Sequence, residues 1–381
     1  MKKDLADVCN YLKGLVISHT PEDFVIAKPF THGLSNDELK QGILAFRVFL
    51  YGLYDKIAAD KDKLDVIKGK KYDPETGEDS IQKCFPVIND IAVILATLGI
   101  YGKFEAEPKM MLSVNGGDLL ASQSSTKPPA MNKISNKRKL EIFNYLSDIG
   151  FYFEDLNLSE NIDFSKIGTF YVTYENDDFV ILGLKLLAEA KENIQSGYQK
   201  FTTTFMRGDF YPLANDVPKK HSASAGDFAN SQAPEVRDWI VNLENLLISH
   251  KCKISCFSLS NTNGSGSFAY ASRKGKTICR INMGIQGSEI LIHSNHITDN
   301  NNILAELPEN MLNIVKNSPG CGKCKERNPD TFVRCRHGGA VKFTYNGKNY
   351  KRCVFEGHAF PLNNTTEFAL LKKWIEYEIA F

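Results

Sequence analysis

Four of the nine cysteines, Cys321, Cys324, Cys335 and Cys353, crowd into one short stretch near the end of the 381-residue sequence. The other five are scattered. Cys9 and Cys84 stand in apolar surroundings, and Cys252, Cys256 and Cys279 fall in strand-like runs, where a free thiol serves as a small hydrophobe. Cys321-Gly322-Lys323-Cys324 is a C-x2-C pair after Pro319-Gly320, and small residues there let two thiolates point at one ion. At the start, Asp7, Asn10 and Lys13 interrupt what would be the apolar core of a secretion signal. One local cluster in an odd total therefore reads as a reducing, cytoplasmic compartment with one metal site, not as a disulfide framework.

The sequence also says how the four thiols would meet. Asn346-Gly347 lies between two strand-like runs and is a type I′ hairpin signal. A two-residue turn there pairs Tyr345 with Lys348 and sets Cys353 opposite Ala340. Gly338-Gly339 then lets the chain fold Cys335 back toward the open end. The expected cofactor is a structural zinc held by Cys321, Cys324, Cys335 and Cys353. Four protein ligands leave no open position for catalysis. His337 and His358 are near enough to replace one cysteine. Redox chemistry at Cys321 and Cys324 is the rival reading, but no βαβ pattern surrounds the pair.

The same stretch is basic. Between Lys316 and Arg352, ten Lys and Arg residues stand against Glu326 and Asp330, with Phe332, Phe343, Tyr345 and Tyr350 interleaved. Such a surface suits phosphate backbones or stacked bases, although hairpin aromatics more often pack inward and flanking lysines more often solubilise. The whole chain carries a net charge of only +1, so any electrostatic steering is local. Positions 154–192 show the opposite bias, nine acidic residues against Lys166, Lys185 and Lys191. That stretch reads as a solvated face, or as a dock for a basic partner such as the chain's own C-terminal module.

A sequence this long exceeds one ordinary core, and the fold class expected is α+β in several parts. Residues 1–120 read as a mostly helical domain. Leu39, Ile43, Phe46, Leu50, Leu53 and Ile57 keep a helical period after Ser35-Asn36-Asp37, and a nearly all-apolar helix is expected from Ser80 to Leu98. Its apolar run is too short for a membrane span, so no membrane partner is expected. The Ser- and Pro-rich run from Ser122 to Pro129 reads as a linker. Residues 131–200 read as an α/β domain with a helix at Asn136–Ile149, strands at Phe151–Phe153 and Thr169–Tyr174, and a helix at Asp177–Ile194.

Residues 201–233 read as an irregular connecting loop, and loops of this length are often functional. Arg207, Asp209, Lys220 and His221 in its 207–227 portion have the chemistry to hold an anion or move a proton. Residues 234–318 follow an α-β-β-β-β-α order, which suits an antiparallel sheet with helices on one face. The strands are expected at Lys253–Leu259, Ser267–Ser272, Thr277–Met283 and Glu289–His293, with a closing helix from Asn302 to Asn317. Residues 319–381 form the zinc-binding hairpin module with a terminal helix.

The stretch from Trp239 to Asn317, with its Arg273-Lys274-Gly275-Lys276-Thr277-Ile278-Cys279 hairpin, resembles small bacterial α/β modules of the YdhG-like group. Some of that group are associated with iron handling, but no acidic ridge here carries that role over, so the resemblance implies shape alone. No phosphate-cradling loop, dinucleotide fingerprint, nucleophile elbow or H-E-x-x-H occurs. The expected function is that of a soluble zinc-binding protein that recognises a small ligand or a protein without catalysis. The alternatives are an enzyme with its site at the 207–227 loop, and a nucleic-acid-binding protein acting through the basic module.

Overall fold

A computed structural model describes residues 2–64, 73, 84–120, 131, 134–159, 162–192, 205–214, 223–259, 266–297, 301–318, 340–353 and 357–380. The fold is mixed α+β with antiparallel sheets. Two compact units divide the chain, 1–223 with 259–264 and 224–258 with 265–381.

In the first unit, α1 (Leu5–Gly14) and α2 (Asn36–Ala59) each begin with a capping box, Asp4 with Asp7 and Ser35 with Glu38. Each box satisfies orphan amides of a first turn. The apolar period of α2 is buried from Leu39 to Ile57. Helix α3 (Pro86–Tyr101) is buried on nearly all sides. The described helix runs from Pro86, within the span where a helix was expected from Ser80 to Leu98. Proline suits the first helical position and disfavours helical backbone in the residue before it, here Phe85 at φ −133° and ψ 68°. Residues 80–83 lie outside the described chain.

Two strands that the sequence reading did not make follow, β1 (Lys103–Glu105) and β2 (Met111–Asn115). After them come α4 (Asn136–Asp148), β3 (Phe151–Glu154), β4 (Thr169–Tyr174) and α5 (Phe179–Glu192). The sheet order is β1-β2-β4-β3. Leu112 of β2 pairs with Val172 of β4, so segments on both sides of the expected linker share one sheet. The linker positions 121–130 themselves lie outside the described residues. Helices α2 and α5 meet at Gly42 and Gly183, where a Cβ on Gly183 would collide with the Gly42 carbonyl. Only hydrogen on both lets the backbones approach so closely.

The second unit opens with a helical turn at Ala225–Phe228 and α6 (Pro234–Ser249). Strands β5 (Lys253–Leu259), β6 (Gly266–Ala271), β7 (Thr277–Gly284) and β8 (Gly287–Ile292) follow, close to the expected strand positions. The helix expected over Asn302–Asn317 is instead two, α7 (Asn301–Glu306) and α8 (Glu309–Asn317). Pro308 breaks it, because its ring would clash with the preceding turn and it offers no N–H.

Beyond α8 the chain forms a separate two-stranded sheet, β9 (Ala340–Tyr345) with β10 (Lys348–Cys353). It then returns as β11 (His358–Pro361), which pairs with β8 to give the order β11-β8-β7-β6-β5. Helix α9 (Phe368–Ala380) buries Leu371, Trp374 and Ile375, with the Trp374 ring 5.7 Å from that of Phe360 on β11. The sequence reading placed 358–380 in the cysteine module, whereas β11 lengthens the main sheet. Among the described residues, no helix is long and apolar enough to cross a membrane.

Candidate functional site

The hairpin is built by its turn. Asn346 and Gly347 both take positive φ, +48° and +71°, as a type I′ turn requires. Tyr345 then faces Lys348, and Cys353 faces Ala340. Side chains alternate between the two faces. One face carries Phe343 paired with Tyr350, Tyr345 with Lys348, and Val341 with Arg352. Here Phe343 is buried and stacks on Tyr350 with centroids 5.1 Å apart. Cations cover these rings. Lys316 of α8 lies 5.6 Å from Tyr345, and Arg352 lies 5.4 Å from Tyr350. The other face carries Lys342 opposite Lys351, Thr344 opposite Asn349, and Cys353 at its end.

Two contacts tie the end of α8 to the strands that follow the hairpin turn. Arg352 Nε donates to the Val315 carbonyl at 3.2 Å. Ser318 Oγ donates to the Ile314 carbonyl at 2.7 Å. That uses the only proton of the hydroxyl, so the 2.7 Å contact with His358 Nδ1 is an Nδ1–H donating to Ser318. His358 is buried. Burial, with Arg352 and His293 adding, pushes its imidazole down to about 3. The ring is therefore neutral, and its one lone pair is on Nε2.

Of the expected zinc ligands, Cys353 sits half-buried at the end of β10 as a free thiol. Cys321, Cys324 and Cys335 lie outside the described residues, as does His337. Among the described residues, no group of three or more His, Cys, Asp or Glu is placed to hold a metal ion. Cys9, Cys84 and Cys279 are buried, and burial pushes the Cys9 thiol up to about 12. Those three are packing residues.

The 207–227 loop divides. Arg207 and Asp209 are buried in the first unit, where the Arg207 carbonyl accepts from Ile17 N–H at 2.9 Å and Asp209 accepts from Tyr211 N–H at 3.3 Å. Phe210 beside them packs edge-on to Phe24 under the Arg47 guanidinium. Lys220 and His221 lie outside the described residues. An open groove of about 440 Å³ on the first unit, lined by residues such as Phe49, Lys56, Tyr174 and Val180, contains none of the candidate zinc ligands and no residue of the 207–227 loop. The acidic stretch is partly used locally. Glu189 meets His32 at 2.9 Å and Lys185 at 3.3 Å, and Asp178 faces Lys109.

A buried polar cluster went unread. Glu244 of α6 accepts from Tyr270 OH on β6, from Ser224 Oγ at 2.9 Å and from Gly226 N–H at 2.7 Å. Burial raises its carboxyl, while the hydrogen bonds oppose that rise. Ser224 Oγ also lies 3.2 Å from Asp227. A signal existed: Glu244 falls between Ile240, Leu243 and Leu247 on the buried stripe of α6. The cluster stitches the 225–228 turn to α6 and β6.

No family model, curated protein or solved structure matches this chain, so the YdhG-like resemblance gains no support from these comparisons.

Proposed function

We propose that this chain is a zinc-stabilised binding protein, in which one structural zinc on Cys321, Cys324, Cys335 and Cys353 fixes the C-terminal hairpin as a contact surface. The observation that carries this reading is that both ends of the cysteine-bearing segment are tied to the stretch of chain around Cys353. At one end, Ser318 is bonded to His358, and Val315 to Arg352. At the other, Ala340 is paired with Cys353 itself. Three residues of chain span at most about 11 Å, which keeps Cys321 close to Ser318. Five residues, at most about 18 Å, separate Cys335 from Ala340. His358 is the substitute donor, since an Nδ1–H held by an oxygen leaves Nε2 free in the manner of metal-bound histidines.

The role is recognition. A four-ligand zinc keeps no open position, and the buried carboxylates Glu244 and Glu378 are held by backbone N–H groups. Chelation tests the reading through hydrogen exchange of the full chain. Removing zinc should release the amides of β9 and β10 and leave those of α2 protected. Equal protection of the hairpin with and without chelator would count against it.

A further inference from the structure

The outer face of the hairpin has a charge problem that folding alone does not solve. Lys342 and Lys351 stand directly opposite each other across the strands, and both are exposed. Like charges at such positions destabilise a strand pair. Residues 340–353 contain no Asp or Glu, and among the described residues no carboxylate is paired with either lysine. The next pair on that face is Thr344 with Asn349, joined by a 2.6 Å hydrogen bond and also exposed. Two cations, a hydroxyl and an amide on one strip are the side chains that contact phosphate oxygens.

The aromatic face cannot supply base stacking, because Phe343 is buried and cations already cover Tyr345 and Tyr350. We infer that the Lys342–Lys351 face is a docking surface for the phosphate backbone of nucleic acid, bound through charge and without reading bases. This deepens the proposed binding role, since it names the partner of the same hairpin. Charge of this kind on a chain of net +1 makes the attraction local and oriented.

The test is fluorescence anisotropy of labelled single- and double-stranded oligonucleotides of unrelated sequence, titrated with the full chain over a salt series. Bound zinc is measured in every sample. Both strand forms should bind, independently of sequence, and binding should weaken steeply with salt as phosphates release counterions. The pair K342Q/K351Q should reduce the slope of log affinity against log salt on duplex by nearly two, since each neutralised phosphate contributes about 0.9. The pair K342R/K351R should keep the slope. The control pair K137Q/K166Q removes two exposed lysines of the first unit and should change nothing.

No salt-dependent binding, or a slope unmoved by K342Q/K351Q, would overturn the inference. So would preference for one base sequence, or tighter binding of an acidic polypeptide such as polyglutamate than of DNA. Those results with zinc at one equivalent would sink this inference alone, whereas loss of zinc would sink the metal reading.

Discussion

The Ser318 hydroxyl accepts the Nδ1–H of His358 at 2.7 Å while donating its own proton to Ile314. One side chain at the end of α8 thereby sets the tautomer of a buried histidine on β11. Replacing Ser318 with alanine leaves a buried N–H without an acceptor, which costs about 1–3 kcal/mol. The two tryptophans, Trp239 and Trp374, both belong to the second unit, so tryptophan fluorescence follows its unfolding. S318A should lower that midpoint and keep its zinc. An unchanged midpoint would contradict the bond.

Glu378 provides a pH dependence with a definite sign. Burial pushes its carboxyl up from 4.5 to about 7, against the pull of the His296 and Asn295 amides. The folded state therefore holds this proton more tightly than the unfolded chain. Its stabilising contribution is complete below about pH 4.5 and is lost as pH rises through about 7. His358, pushed down from 6.5 to about 3, runs the other way and loses its contribution as pH falls from 6.5 toward 3. From pH 6.5 to 4.5 the two slopes oppose each other. E378Q removes one of them, so acid should destabilise this variant's second unit more steeply than the wild type over that window. Urea midpoints at several pH values would show it, and parallel curves would refute it.

Two glycines of the first unit should respond in opposite directions. Gly183→Ala drives a methyl into the Gly42 carbonyl, and overpacking of this kind costs about 1–3 kcal/mol or more. Gly52 lies within α2 with nothing near its Cβ position, so Gly52→Ala should stabilise by about 0.5–1 kcal/mol. Thermal melts followed by far-ultraviolet circular dichroism would register both shifts. A neutral G183A would mean that α2 and α5 do not cross there.

Periodic elements were legible from residues alone. The buried stripe of α2 and the alternation of β4 and β7 each repeat long enough to declare themselves. The hairpin register was legible too, because Asn346-Gly347 admits one turn geometry. What escaped was short or set by tertiary pairing. Strand β1 has three residues, and β2 gains its identity from β4. The partner of β11 is β8, far back in sequence. Pro308 was visible and should have split the α7–α8 stretch. Glu244 and Glu378 lie on apolar helical stripes where a carboxylate signals a buried acceptor. In the candidate site, Cys353 and its pairing with Ala340 were readable from the turn. The bonds from α8 to Arg352 and His358 were not, since nothing local encodes them.

Proteolysis separates composition from topology. The polar run Ser122–Pro129 should be an early cleavage site. Because β2 pairs with β4 and the unit spans both sides, the two fragments should stay together in a sizing column until denatured. Fragments that part under native conditions would contradict the shared sheet.

Elemental analysis of the purified full chain, kept from chelators, tests the central claim most directly. The account predicts about one zinc per chain, with Cys324→Ser and Cys353→Ser losing most of it and Cys9→Ser losing none. Less than about half an equivalent in the unaltered protein, or zinc that survives both cluster substitutions, would contradict the account.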